Sequence, residues 1–254
     1  MLYLLSALPW ALCFLLGACF FSFLNVVVWR LPRREPVVRG RSHCPACGRT
    51  LRFWELVPCL SFLALGGRCR SCGAGIPIRD FGVECLGGAA AVGCIFRFGL
   101  SPRAFLSFGV LWLLTAVALM DYDTMEIYDR FHAGLILCAL LSLPLFPEVS
   151  LAGRAIGCLC VSLPMLALAL AVPGGFGGGD IKLMFALGLL LGWKNTLLAA
   201  FLAILSGGCY AAVLLLRGRA GRKSQFAFGP FLCLGGAAAL LYGGEILAWY
   251  TAFW

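Results

Sequence analysis

The chain has 254 residues, of which 62% are hydrophobic and only 12% charged, with 32 glycines. A soluble domain runs at roughly 45–50% apolar and about 25% charged, so a soluble enzyme and a disordered binder are excluded and a polytopic membrane protein remains. The net charge of +9, from 20 basic and 11 acidic residues, needs no nucleic acid to explain it, because basic residues gather in the cytoplasmic loops of membrane proteins.

From the N-terminus, Met1 to Trp29 carries no charged side chain, and a span needs about 20 apolar residues. The segment begins uncharged and ends in Arg30-Leu-Pro-Arg33-Arg34, unlike a signal peptide with its basic start and small-residue end. It reads as a retained first helix with its N-terminus outside. A polar stretch covers 30–80, and apolar runs follow at about 81–96, 103–120, 131–147, 153–172, 181–193, 195–216 and 226–250. The expected fold is therefore an all-α polytopic membrane protein of about eight transmembrane helices. It divides into the first helix (1–29), a small cytoplasmic loop domain (30–80) and a multi-helix membrane domain (81–254). Alternation from an outside start puts 30–80, 121–130, 173–180 and 217–225 in the cytoplasm. With Lys182 these regions hold sixteen of the twenty basic residues, against Arg97, Arg103, Arg154 and Lys194 on the other face. The shortest run, 181–193, is expected to start below the membrane surface and to turn at 192–195.

The 30–80 loop contains Cys44-Pro-Ala-Cys47-Gly and Cys69-Arg-Ser-Cys72-Gly. Two such knuckles offer four thiolates in the arrangement a structural zinc takes, closed to substrate. A loop of this size has little core of its own, and a metal is a common remedy. Two disulfides are the alternative, disfavoured where thiols stay reduced. His43 is either a surface residue or a replacement ligand, and His132 stands alone. The other ten cysteines sit in or beside apolar runs and act as small hydrophobes.

Acidic residues are few, so their positions carry information. Asp121 and Asp123 close the third run, and Asp180 ends the glycine-rich stretch from Pro173 and opens the next run. Both places fall on the cytoplasmic side of the expected topology. Two carboxyls held close do not both ionise: one takes a proton from an attacking water while the other donates to the developing oxyanion. The alternatives are Asp180 as a helix N-cap and Asp121 or Asp123 facing interfacial water. The glycine run lacks the Lys-Ser/Thr of a phosphate loop.

The ordered set of motifs resembles the type IV prepilin peptidases, membrane aspartic proteases of the GxGD type. It comprises Ser22-Phe-Leu-Asn25, Arg41-Ser-His-Cys44-Pro-Ala-Cys47, Pro58-Cys-Leu-Ser61, Gly67-Arg-Cys69-Arg-Ser-Cys72, Val83-Glu84, Asp121-Tyr-Asp123, Gly177-Gly-Gly179-Asp180-Ile-Lys182 and Phe228-Gly-Pro230. The resemblance implies that Asp180 is the GxGD aspartate and Asp121 its catalytic partner, with Asp123 in reserve. It also implies a bacterial inner-membrane enzyme that removes the short basic leader from type IV prepilins or secretion pseudopilins at the cytoplasmic face. Methylation of the new N-terminus with S-adenosylmethionine is implied as a second activity. The peptidase step itself needs no cofactor, and the cysteines would hold zinc for structure. Asp123, Glu126 and Asp129 would offer negative charge to a basic leader. Two departures stand out: Tyr128 where the family has proline, and Phe21 where it has glycine. Two other classes stay open, an ion- or proton-coupled transporter and a non-catalytic scaffold for pilus assembly.

Overall fold

A computed structural model describes residues 2–172, 176–218 and 226–252. The start of the glycine-rich stretch (173–175) and basic loop residues 219–225 lie outside the described residues. Backbone groups in lipid must find partners within their own segment, which a helix provides. Nine α-helices are described: α1 Leu2–Arg30, α2 Leu60–Ala64, α3 Ile78–Phe98, α4 Pro102–Thr124, α5 Asp129–Leu145, α6 Leu151–Cys160, α7 Ser162–Ala171, α8 Gly178–Leu216 and α9 Gly229–Thr251.

The eight expected runs correspond to α1, α3, α4, α5, α6 with α7, the two limbs of α8, and α9. Among the described residues, six helices are long and apolar enough to cross a membrane. That number takes α8 as one helix and leaves out α5, which has 17 residues. As a straight rod, the 39 residues of α8 would run about 58 Å, roughly twice the hydrocarbon thickness. The break comes at Gly192, with φ 72° and ψ 166°, a conformation open to glycine and not to residues with a Cβ. The turn expected over 192–195 is thus a kink at one residue.

The chain divides into two compact units, Met1–Leu100 and Ser101–Trp254. In the first, α1 lies along α3. Phe21 is fully buried and seated on Gly87, where an added Cβ would collide with its ring. Gly87 therefore gives room for the bulk of Phe21 at this helix contact, as small residues do between helices in membranes. Asn25 Nδ2 donates to the Asp80 carbonyl at 3.1 Å. The buried Arg30 gathers the carbonyls of Pro36, Val37 and Arg39 at 2.9–3.4 Å, folding the start of the loop around its guanidinium.

In the second unit, α4, α5, α8 and α9 surround a core that includes Leu114, Val117, Met120, Leu135, Leu183, Leu187 and Leu232. Here α6 lies so close to α8 that Gly157 and Gly188 meet backbone to backbone. Arg154, only 1% exposed, is not the surface cation that the charge count took it for. Its guanidinium donates to Ser142 Oγ (2.7 Å) and to the carbonyls of Leu189 (3.0 Å), Leu190 (3.2 Å) and Phe146 (3.2 Å). It thereby caps the C-terminal ends of α5 and of the first limb of α8, where carbonyls are short of partners.

Candidate active site and metal centre

Asp121 lies in the last turn of α4, which ends in a left-handed Met125. The residue is 7% exposed, and its Oδ2 accepts the backbone N–H of Gly229 at 2.8 Å. Gly229 is the first residue of α9, after the N-cap Phe228. That N–H is one of the donors a helix start leaves unpaired, at the positive end of the helix dipole. A side chain at 229 has no room, since a Cβ there would lie 2.6 Å from Oδ2.

Asp180 lies in the first turn of α8, whose N-cap is Gly177. It is thus inside the helix and is not its cap. The residue is 9% exposed, and its buried Oδ1 has no hydrogen-bond partner among the described residues. The two carboxyls, 59 residues apart in sequence, line one cavity of 790 Å³. Asp123 is exposed and does not line the cavity, although it lies two residues from Asp121.

The cavity is bounded by the segment 125–128 and by the starts of α8 and α9. Phe176 and Phe228, with ring centroids 6.0 Å apart, give it an aromatic wall. Glu126 and Tyr128 also line it. Tyr128 has φ −74° as the N-cap of α5, which is within the range a proline ring would impose. The backbone course suited to proline is therefore kept without the ring.

His132 is not isolated. It is 4% exposed, and its Nε2 donates to the carbonyl of Gly179, the residue before Asp180, at 3.0 Å. Its Nδ1 lies 3.5 Å from Asp129 Oδ1, which also holds Lys182 Nζ at 2.7 Å. The first turn of α5 thus grips the first turn of α8. The Lys182 ammonium holds the Asp129 carboxyl below its ordinary range. Of the three acids expected to face a basic leader, Asp129 is therefore paired and Asp123 is outside the cavity; Glu126 lines it.

In the first unit the two knuckles fold alike. The N–H of Gly48 donates to the Cys44 carbonyl and that of Gly73 to the Cys69 carbonyl, each at 2.9 Å. Both glycines have positive φ, at 69° and 73°. Short bridges, His43 to Thr50 and Arg68 to Gly75, close the two turns. The four sulfurs lie within 4.8 Å of one another, and Cys44 Sγ is 3.8 Å from Cys72 Sγ. Tetrahedral zinc with Zn–S of about 2.3 Å separates its sulfurs by about 3.8 Å, so this donor set fits such an ion. Backbone amides of Cys72 and Ser71 pull the Cys69 thiol down to about 6, and those of Cys47 and Ala46 lower Cys44. Thiolates are the form a metal takes. All fourteen cysteines are free thiols. His43 is exposed, with Nδ1 beside the Arg41 carbonyl, and is not part of the cluster.

A family profile described as "Bacterial Peptidase A24 N-terminal domain" matches residues 15–98, and one described as "Type IV leader peptidase family" matches 108–212. Three relatives carry the name prepilin leader peptidase/N-methyltransferase. The protein of Bacillus subtilis is 36% identical over 93% of this chain and 96% of its own length. That of Burkholderia pseudomallei is 34% identical over 92% and 85%, and that of Pseudomonas aeruginosa 33% over 97% and 95%. No solved structure matches the chain.

Proposed function

The chain belongs to the type IV leader peptidase family, and on that premise we propose that it removes the leader from type IV prepilins or secretion pseudopilins with Asp121 and Asp180 as its catalytic pair. One observation carries this reading: two buried carboxyls from distant parts of the chain line a single cavity where the starts of two helices meet. The enzyme is a multi-pass membrane protein. Its place is the bacterial inner membrane, with the N-terminus outside and the aspartates and the cysteine knuckles of the 30–80 segment toward the cytoplasm. A prepilin has its apolar helix in the bilayer, so its scissile bond meets the cavity at the inner interface.

Hydrolysis then needs only the two acids and water. One carboxylate takes a proton from water as the oxygen bonds to the peptide carbonyl carbon, and the protonated partner donates to the carbonyl oxygen. The tetrahedral intermediate collapses as the C–N bond breaks. The first acid gives its proton to the leaving nitrogen, and the second recovers its own from the hydroxyl. Gly229 holds one oxygen of Asp121 through this cycle, and the aromatic wall limits water. Zinc on Cys44, Cys47, Cys69 and Cys72 would fix the fold of the loop and takes no part in the reaction. N-methylation of the new terminus, the second half of the relatives' name, calls for S-adenosylmethionine as donor, and no residue is assigned to hold it.

The test is mass spectrometry of a prepilin's N-terminus after incubation with membranes that carry the enzyme, which reports scission and methylation together. Asp121→Asn and Asp180→Asn are expected to abolish scission with the protein still inserted, while Asp123→Asn retains it. Cleavage by either of the first two variants at the wild-type rate refutes the assignment.

A further inference from the structure

Between the two cysteine knuckles, a 3₁₀ turn at Phe53–Leu56 leads into α2. This segment exposes Phe53 (78%), Trp54, Leu56, Val57, Leu60 and Leu63 (65%). A run of this kind on a water-facing loop would be an adhesive patch that soluble surfaces avoid. We propose that residues 53–65 are not part of a water-exposed loop but lie in the bilayer, at the boundary of headgroups and acyl chains.

The depth follows from where α2 is fastened. The Phe62 ring stacks on Phe81 at 4.6 Å, Cys59 N–H donates to Glu84 Oε2 at 2.7 Å, and Cys59 Sγ lies 3.6 Å from Cys85 Sγ. These partners are not at the polar start of α3, Arg79 and Asp80, but in the apolar run that begins at Phe81. Glu84 is about 9 Å along the helix from Ile78 at 1.5 Å per residue. Whatever touches Glu84 and Cys85 is level with the hydrophobic part of the span. At the same level α3 itself exposes Leu86, so the apolar face of α2 extends a surface already turned to lipid.

The polar contacts agree. A carboxylate inside an apolar helix needs a partner, and the start of a helix at that depth needs its free N–H groups satisfied. Glu84 and the Cys59 amide meet both needs at once. Towards water, the Arg52 guanidinium lies over the Trp54 ring at 5.2 Å, the pairing of cation and amphipathic ring that suits an interface. The clustered cysteines on either side, Cys47 before and Cys69 after, hold the two ends of the segment together.

The test uses the full-length protein and its Trp54→Phe variant in vesicles of phosphatidylcholine and phosphatidylglycerol, with and without lipids brominated high in the acyl chain. The emission lost in the variant belongs to Trp54. It is expected to be blue-shifted, to lose most of its intensity to brominated lipid and to resist aqueous iodide. Phe53→Trp on the Trp54→Phe background should restore that behaviour one residue along. Quenching by iodide with none from brominated lipid overturns the proposal and returns the segment to water. Protection from both quenchers also overturns it, by assigning the face to another protein or a second copy.

Discussion

Gly229→Ala is the most informative single substitution. The new methyl would sit 2.6 Å from Asp121 Oδ2 and 3.0 Å from its Cγ, whereas unstrained contacts lie near 3.5–4.0 Å. Gly229 is anchored in the first turn of α9, so the carboxyl has to give way by about an ångström, stretching the 2.8 Å bond from the backbone N–H. A misplacement of about 1 Å at a reacting group can cost on the order of 100-fold, near 2.7 kcal/mol of transition-state stabilisation. We therefore expect kcat for prepilin cleavage to fall by about that factor, with KM within about twofold because no new atom enters the substrate surface. Gly244→Ala in the same helix meets nothing within 4 Å and serves as the control for insertion and yield. A Gly229→Ala enzyme that keeps more than about half of the wild-type kcat would show that Asp121 need not occupy its observed position, and the mechanism would lose its geometry.

Three further outcomes are expected. His132→Leu removes the side-chain donor to the half-buried Gly179 carbonyl, a cost of about 1 kcal/mol, and should lower kcat several-fold; His132→Gln keeps an N–H within reach and should recover most of the loss. Equal defects in the two variants would rule out that hydrogen bond as the cause. Glu126→Gln should raise KM several-fold for a basic leader at low salt and leave kcat alone, with no change for a leader whose basic residues are neutralised, as a screened charge contact would behave. Cys44→Ser should cost the protein about one zinc per chain by elemental analysis. Chelation should leave the initial cleavage rate intact, since none of the four cysteines lines the aspartate cavity; an immediate loss with the loop still folded would reopen the role of the metal.

What the sequence made legible was local. Apolar runs mark helices because lipid leaves the backbone no other partner, and the knuckles announce themselves because their residues are neighbours. The failures came where distance in sequence hid proximity in space. Gly229 lies in the Phe228-Gly-Pro230 motif, but it is 108 residues from Asp121 and carries no chemistry of its own, so its role as the donor that holds a carboxyl was hidden. His132 looked solitary because its partner, Gly179, offers only a carbonyl. Arg154 counted as a loop charge because composition does not separate a cation in water from one wrapped in carbonyls. The Phe21 departure is absorbed by Gly87 on another helix, a compensation that becomes legible only once α1 and α3 are side by side. The run 181–193 looked too short because Gly192 divides one long helix unevenly.

The first limb of α8, residues 178–191, is a rod about 20 Å long with Asp180 at one tip and the Arg154 clasp at the other. A rigid rod transmits tilt: a few degrees of slack at the clasp become a displacement of about an ångström at the acid. The aim of the reacting group is therefore set from the opposite end of the bundle, by a guanidinium that never meets the substrate. Damage there would present as a chemical defect in a protein whose cavity walls are all intact.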